Sequence, residues 1–112
     1  MAFLSSAASA WALLLIAGVL EIVWSSSMKA SEGFTKQFYT GITLAAAWIS
    51  FWLLGIAMKS LPLGTAYAVW TGIGAVGAAI IGMVIFKEPA TAARILCIAA
   101  IVGGIVGLKL LH

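Results

Sequence analysis

The chain has 112 residues, 64% of them hydrophobic, and its twelve glycines lift the nonpolar share to roughly three quarters, against about half for a soluble domain. Charged residues supply only 8%, where about 25% is usual, and the mean hydropathy is +1.21. So few polar side chains exclude a soluble domain and a disordered chain, and six scattered basic residues with one cysteine exclude a nucleic-acid module and a disulfide scaffold.

Lipid is therefore the solvent, and the formal charge of +3 suits contact with anionic headgroups rather than nucleic acid. Charged residues punctuate four apolar runs, at about 10–30, 37–58, 63–86 and 90–110. Each holds about 20 residues, which at about 1.5 Å rise per residue crosses a hydrocarbon core about 30 Å thick. The fold class is an all-α integral membrane protein with four transmembrane helices in one domain over residues 1–112. Pro62 and Pro89 stand where the third and fourth helices should begin, the place at which a missing N–H costs nothing. Nothing remains for a cofactor fold, a metal site or a nucleotide-binding loop. Lys or Arg is absent before Lys29, which argues against a cleaved signal peptide. Lys59 and Lys109 would share one side with the N-terminus, and Lys29, Lys36, Lys87 and Arg94 the other, a bias too weak to choose an orientation.

The first run contains the anomaly. Glu21 falls near its midpoint, where a carboxylate costs about 2.5–3.5 kcal/mol on insertion scales, and its short arm cannot snorkel to the interface. No Lys, Arg or His lies at comparable depth to pair with it. The bland account is a protonated acid bonded between helices; the functional account is favoured because intramembrane ionisable groups mark substrate and proton pathways. Gly18 and Ala17 lie one turn back on the same face and should open space beside the carboxylate, and Trp24 and Ser25 lie one turn on. A carboxylate, an indole face and a void together suit an organic cation.

In the second run, Thr43 and Ser50 share a face, and the mid-membrane Ser50 hydroxyl can bond its own backbone or reach a neighbour. Trp48 and Trp52 read as packing or lipid-facing. The third run puts Tyr67, Trp70 and Gly74 on one stripe, with Trp70 deeper than an interfacial belt needs. Glycines 72, 74 and 77 allow close backbone approach or bending. The fourth run offers no binding group. Its Ala99, Gly103 and Gly107 form a small-residue ladder, the candidate dimer interface. Glu88 is placed to complement the dipole of that helix, and Cys97 reads as a small core hydrophobe. Four helices mostly fill their own centre, so a solute path calls for an oligomer. One His, one Cys and no catalytic pair at membrane depth argue against an enzyme.

Over essentially its whole length the chain resembles the small multidrug resistance family of four-helix bacterial transporters. The resemblance rests on Glu21 and on Gly64-Thr65-Ala66-Tyr67-Ala68-Val69-Trp70. Trp24, the stretch Trp70-Thr71-Gly72-Ile73-Gly74-Ala75, and Phe86-Lys87-Glu88-Pro89 are similar to the guanidinium exporter subtype rather than the quaternary-ammonium one. The resemblance implies an antiparallel homodimer of dual topology in the bacterial inner membrane, with one site between the copies. It assigns the central carboxylate to Glu21, the aromatics to Trp24, Tyr67 and Trp70, and the second-helix hydroxyl to Ser50. The implied activity is proton-coupled export of guanidinium, in which protons and cation compete for Glu21, Ser50 orients Glu21, and Tyr67 reaches Glu21 across the dimer. Residues 1–9 form an N-terminal extension relative to the family, not expected to touch the site. The alternatives are export of quaternary ammonium or polyaromatic cations, and a non-transporting structural subunit in which Glu21 is interhelical glue.

Overall fold

The computed structural model describes residues 7–111, so most of the N-terminal extension and His112 lie outside the described residues. These residues form four α-helices and no strand: α1 Ala7–Ala30, α2 Gln37–Ala57, α3 Leu63–Val84 and α4 Ala92–Leu111. All four are long and apolar enough to cross a membrane. They depart from the expected limits where local chemistry intervenes. Pro62 is the N-cap of α3, not its first helical residue. The chain leaves α3 at Val84 because Lys87 takes a left-handed conformation (φ 58°) and the Glu88 N–H turns back to the Gly82 carbonyl at 3.0 Å. Pro89 then lies in extended chain, and α4 begins only after Thr91, whose Oγ1 accepts the Arg94 N–H at 3.2 Å as an N-cap should.

Between α1 and α2, Glu32, Gly33 and Phe34 all have positive φ. Ser31 holds this run in place: its Oγ donates to the Met28 carbonyl at 2.7 Å and accepts the Phe34 N–H at 3.0 Å.

α1 packs against both α2 and α3, whereas α2 and α3 touch little and α4 lies beside α3 alone. The protomer is consequently a slab, 41 × 36 × 16 Å in its Cα extents. Helix axes pack about 8–10 Å apart, so a Cα thickness of 16 Å holds at most two helices in depth and leaves no enclosed interior. The core gathers at one end, where Ala10, Leu14 and Ala17 of α1 meet Leu54 and Ala57 of α2 and Ala66, Val69 and Trp70 of α3. Beyond Gly18 no further residue of α1 is buried, and the next buried residue in the chain is Ser31, just past its end. The buried apolar cluster therefore ends one turn before Glu21 on α1, and beyond it the seams are kept close by small residues, Thr43 and Ala46 of α2 and Gly74 and Gly82 of α3.

No residue of α4 is buried. Cys97 is exposed on it rather than part of a core, and a Cβ built on Gly103, Gly104 or Gly107 would meet nothing within 4 Å.

Candidate functional site

The site lies where the tight core ends. Glu21 projects from α1 toward α3, and Gly74 is what admits it: a Cβ at position 74 would overlap the carboxylate itself. The next small residue along the seam, Gly77, admits Ile22 in the same way. Glu21 Oε1 is buried and has no hydrogen-bond partner among the described residues, and the same holds for Trp24 Nε1 one turn on. Among the described residues Glu21 enters no ion pair; Lys36–Glu32 (3.3 Å) and Arg94–Glu88 (2.5 Å) both lie at the helix ends.

Ser50 is completely buried and links three helices. Its Oγ donates to the Ala17 carbonyl of α1 at 2.7 Å and accepts the indole N–H of Trp70, on α3, at 3.0 Å. A hydroxyl has one proton, and here it goes to Ala17. Ser50 thus positions Trp70, and does not orient Glu21 as the sequence suggests. Thr43, on the same face of α2, bonds its own helix instead, donating to the Tyr39 carbonyl at 2.8 Å.

With Trp70 held, four rings form a row across three helices. Trp24 meets Phe51 edge-on at 6.1 Å between centroids, Phe51 meets Trp70 at 5.7 Å, and Trp70 meets Tyr67 at 5.5 Å. The structure therefore brings Trp24, Tyr67 and Trp70 into one aromatic row, beginning one turn from Glu21. Phe51, the ring that joins α1 to α3, escapes the sequence reading. It is one more aromatic between Trp48 and Trp52, and only the fold distinguishes its position.

Two expectations are corrected. The room beside Gly18 is not a void: a Cβ there would lie 2.7 Å from Ile73 Cγ2, so Gly18 is where α3 packs against α1. Gly72 likewise takes Ile105 and Ile101 of α4. Glu88 does not sit at the start of α4. Its carboxylate lies in the notch left by Gly82 and pairs with Arg94, while Thr91 caps the helix.

An unpaired acid at mid-depth, faced by bare backbone and flanked by rings, in a chain of four spans defines a small multi-pass membrane protein with an intramembrane polar site. Residues 9–101 match the family described as Small Multidrug Resistance protein, and the chain belongs to that family. It is 56% identical over 101 residues to the guanidinium exporter of Yersinia pseudotuberculosis serotype I (strain IP32953), covering 90% of this chain and 97% of that protein. It is 55% identical over 100 residues to the guanidinium exporter of Citrobacter freundii, covering 89% and 95% respectively. Family and spans together make it a multi-pass transport protein of the bacterial inner membrane.

Proposed function

We propose that the protein is a proton-coupled antiporter that exports guanidinium and small guanidinyl cations, acting as an antiparallel homodimer of dual topology. One observation carries this reading: the buried Glu21 oxygen with no hydrogen-bond partner among the described residues, set against Gly74 one turn from the row of rings. A planar cation with N–H donors around its edge supplies what is missing. Its edge gives charge-assisted hydrogen bonds to the carboxylate, and its face lies against indole and phenyl rings. The names of the relatives support the same substrate class.

The slab shape supports a dimer, because the ring row of a 16 Å layer needs a second layer to close over it. Gly103 and Gly107, with open space above them, offer α4 as the contact. Tyr67 is half exposed, and its hydroxyl has no partner among the described residues, which leaves it available to the partner subunit's Glu21.

Proton and cation neutralise the same carboxylate, so binding one expels the other. A bare carboxylate at mid-depth costs about 2.5–3.5 kcal/mol, which opposes reorientation of an empty site. A site loaded with protons or cation escapes that cost and moves, so inward proton flow drives outward cation flow.

The test is proton release from detergent-purified protein titrated with guanidinium, together with guanidinium-driven proton exchange in liposomes. Glu21→Gln is expected to abolish both; normal exchange in that variant refutes the mechanism, and silence in the wild type would favour a structural subunit. One observation favours a second reading, lipophilic quaternary ammonium substrates: an open cleft of about 490 Å³ lined by Trp48, Phe51 and Trp52 adjoins the ring row. Competition with cations from guanidinium to bulky lipophilic ions separates the two.

A further inference from the structure

A second cavity lies away from Glu21, at the end of the protomer that holds the start of α1 and the close of α4. No Cα of α4 comes within 8 Å of one in α1, yet both helices flank α3. The gap between them is a groove of about 210 Å³ with Val69 of α3 among its walls, Leu15 on one side and Ile105 and Val106 on the other. At its mouth stand Trp11, in the second turn of α1, and Lys109, in the last turn of α4, with the ammonium 4.7 Å from the indole centroid.

The groove is amphipathic in one sense only. Its walls are hydrocarbon, and its one charge is a cation at the depth where an apolar helix meets the headgroups. Among the described residues no carboxylate balances that cation. Of the three acids, Glu21 is at mid-depth, and Glu32 and Glu88 follow α1 and α3, at the opposite end. Trp11 holds the ammonium over the groove through its ring face, so its N–H donors remain available to an anion. Nor is this the face set aside for the small-residue contact. Ile105 and Lys109 run two residues out of step with Gly103 and Gly107, about 200° around the helix.

We propose that this groove binds an anionic phospholipid, with an acyl chain between α1 and α4 and the headgroup phosphate on Lys109. The lipid fills the space that α4 leaves by packing on α3 alone, and so braces α4 against the helix that carries Glu21. The site depends on the membrane span and the groove, not on which cation the protein exports.

Native mass spectrometry of the purified protein, titrated with phosphatidylglycerol and separately with phosphatidylcholine, tests it. Phosphatidylglycerol is expected to be retained more tightly. Lys109→Gln should lower its retention about fivefold, the weight of one lysine near an anionic headgroup, and leave phosphatidylcholine unchanged. Lys59→Gln, the other lysine at this end, should leave both unchanged. Val106→Trp, which plugs the groove from an exposed position, should reduce retention of both lipids, and it reads the site independently should Lys109→Gln fail to fold. Equal retention of the two lipids by the wild type, an equal loss in Lys59→Gln and Lys109→Gln, or full retention in Val106→Trp would each overturn the proposal.

Discussion

The Ser50–Trp70 hydrogen bond is the contact whose loss can be most sharply measured. Both residues are buried, at 0% and 6% exposure, and the bond is 3.0 Å long. Ser50→Ala removes the acceptor and leaves an indole N–H unpaired in hydrocarbon, a loss of about 1–3 kcal/mol. Trp70→Phe removes the donor as well as ring contacts with Phe51 and Tyr67, yet leaves the Ser50 hydroxyl on the Ala17 carbonyl. A double-mutant cycle cancels those extra losses and isolates the pair. Hydrogen bonds between membrane helices average about 0.6 kcal/mol and reach about 1.7. A buried and well-aligned pair belongs in the upper half of that range, so the double variant should be about 1–1.7 kcal/mol more stable than the sum of the single losses predicts. Unfolding in mixed micelles with added dodecyl sulfate, followed by circular dichroism at matched protein concentration, reads all four corners. A coupling below about 0.3 kcal/mol, the scatter of unrelated sites, would show that Ser50 does not hold Trp70.

Gly77→Ala should destabilise the protein by about 1–3 kcal/mol, because the new methyl lands on the Ile22 side chain. Adding Ile22→Ala removes the overlapping atoms and leaves Ile22 Cβ 3.2 Å away, so the same unfolding assay should show the double variant recovering part of that loss. Glu88→Gln breaks a partly exposed ion pair with Arg94. Such pairs contribute about 0.2–1 kcal/mol and are screened by salt. The melting temperature is therefore expected to fall by a few degrees at low ionic strength and less at high, while the guanidinium-driven proton exchange proposed above is unchanged; loss of that exchange would give Glu88 a part in it.

Much of this architecture was readable in the sequence because, in lipid, charge and length act without competition. A run of about 20 apolar residues between charges has few alternatives to a helix, and Glu21 stands out because nothing near it could neutralise it. The helix ends were less readable. Pro89 marks the α3–α4 break, but the start of α4 depends on a cap at Thr91 and on a backbone turn at Lys87, the one resting on a single hydroxyl and the other invisible to hydropathy. Side-chain partners across the bundle were least readable. Ser50 could as easily have bonded its own helix, as Thr43 does, and only the fold brings Trp70 to its lone pair. Gly18 shows the same limit in reverse. A small residue announces close approach, but whether a ligand or a neighbouring isoleucine approaches is a fact about another helix.

Gly74 has a consequence for the order in which the protein is made. The notch that receives the Glu21 carboxylate belongs to α3, so when α1 first enters the bilayer the acid has no cover of its own. A ribosome must add α2 and then the first half of α3 before that backbone arrives. Throughout that interval the carboxylate is the least membrane-compatible group of α1, and the retention of that helix falls to the insertion machinery. The carboxylate thus makes biogenesis sensitive to residue 21, so that Glu21→Gln, proposed above to abolish exchange, should at the same time speed insertion of α1.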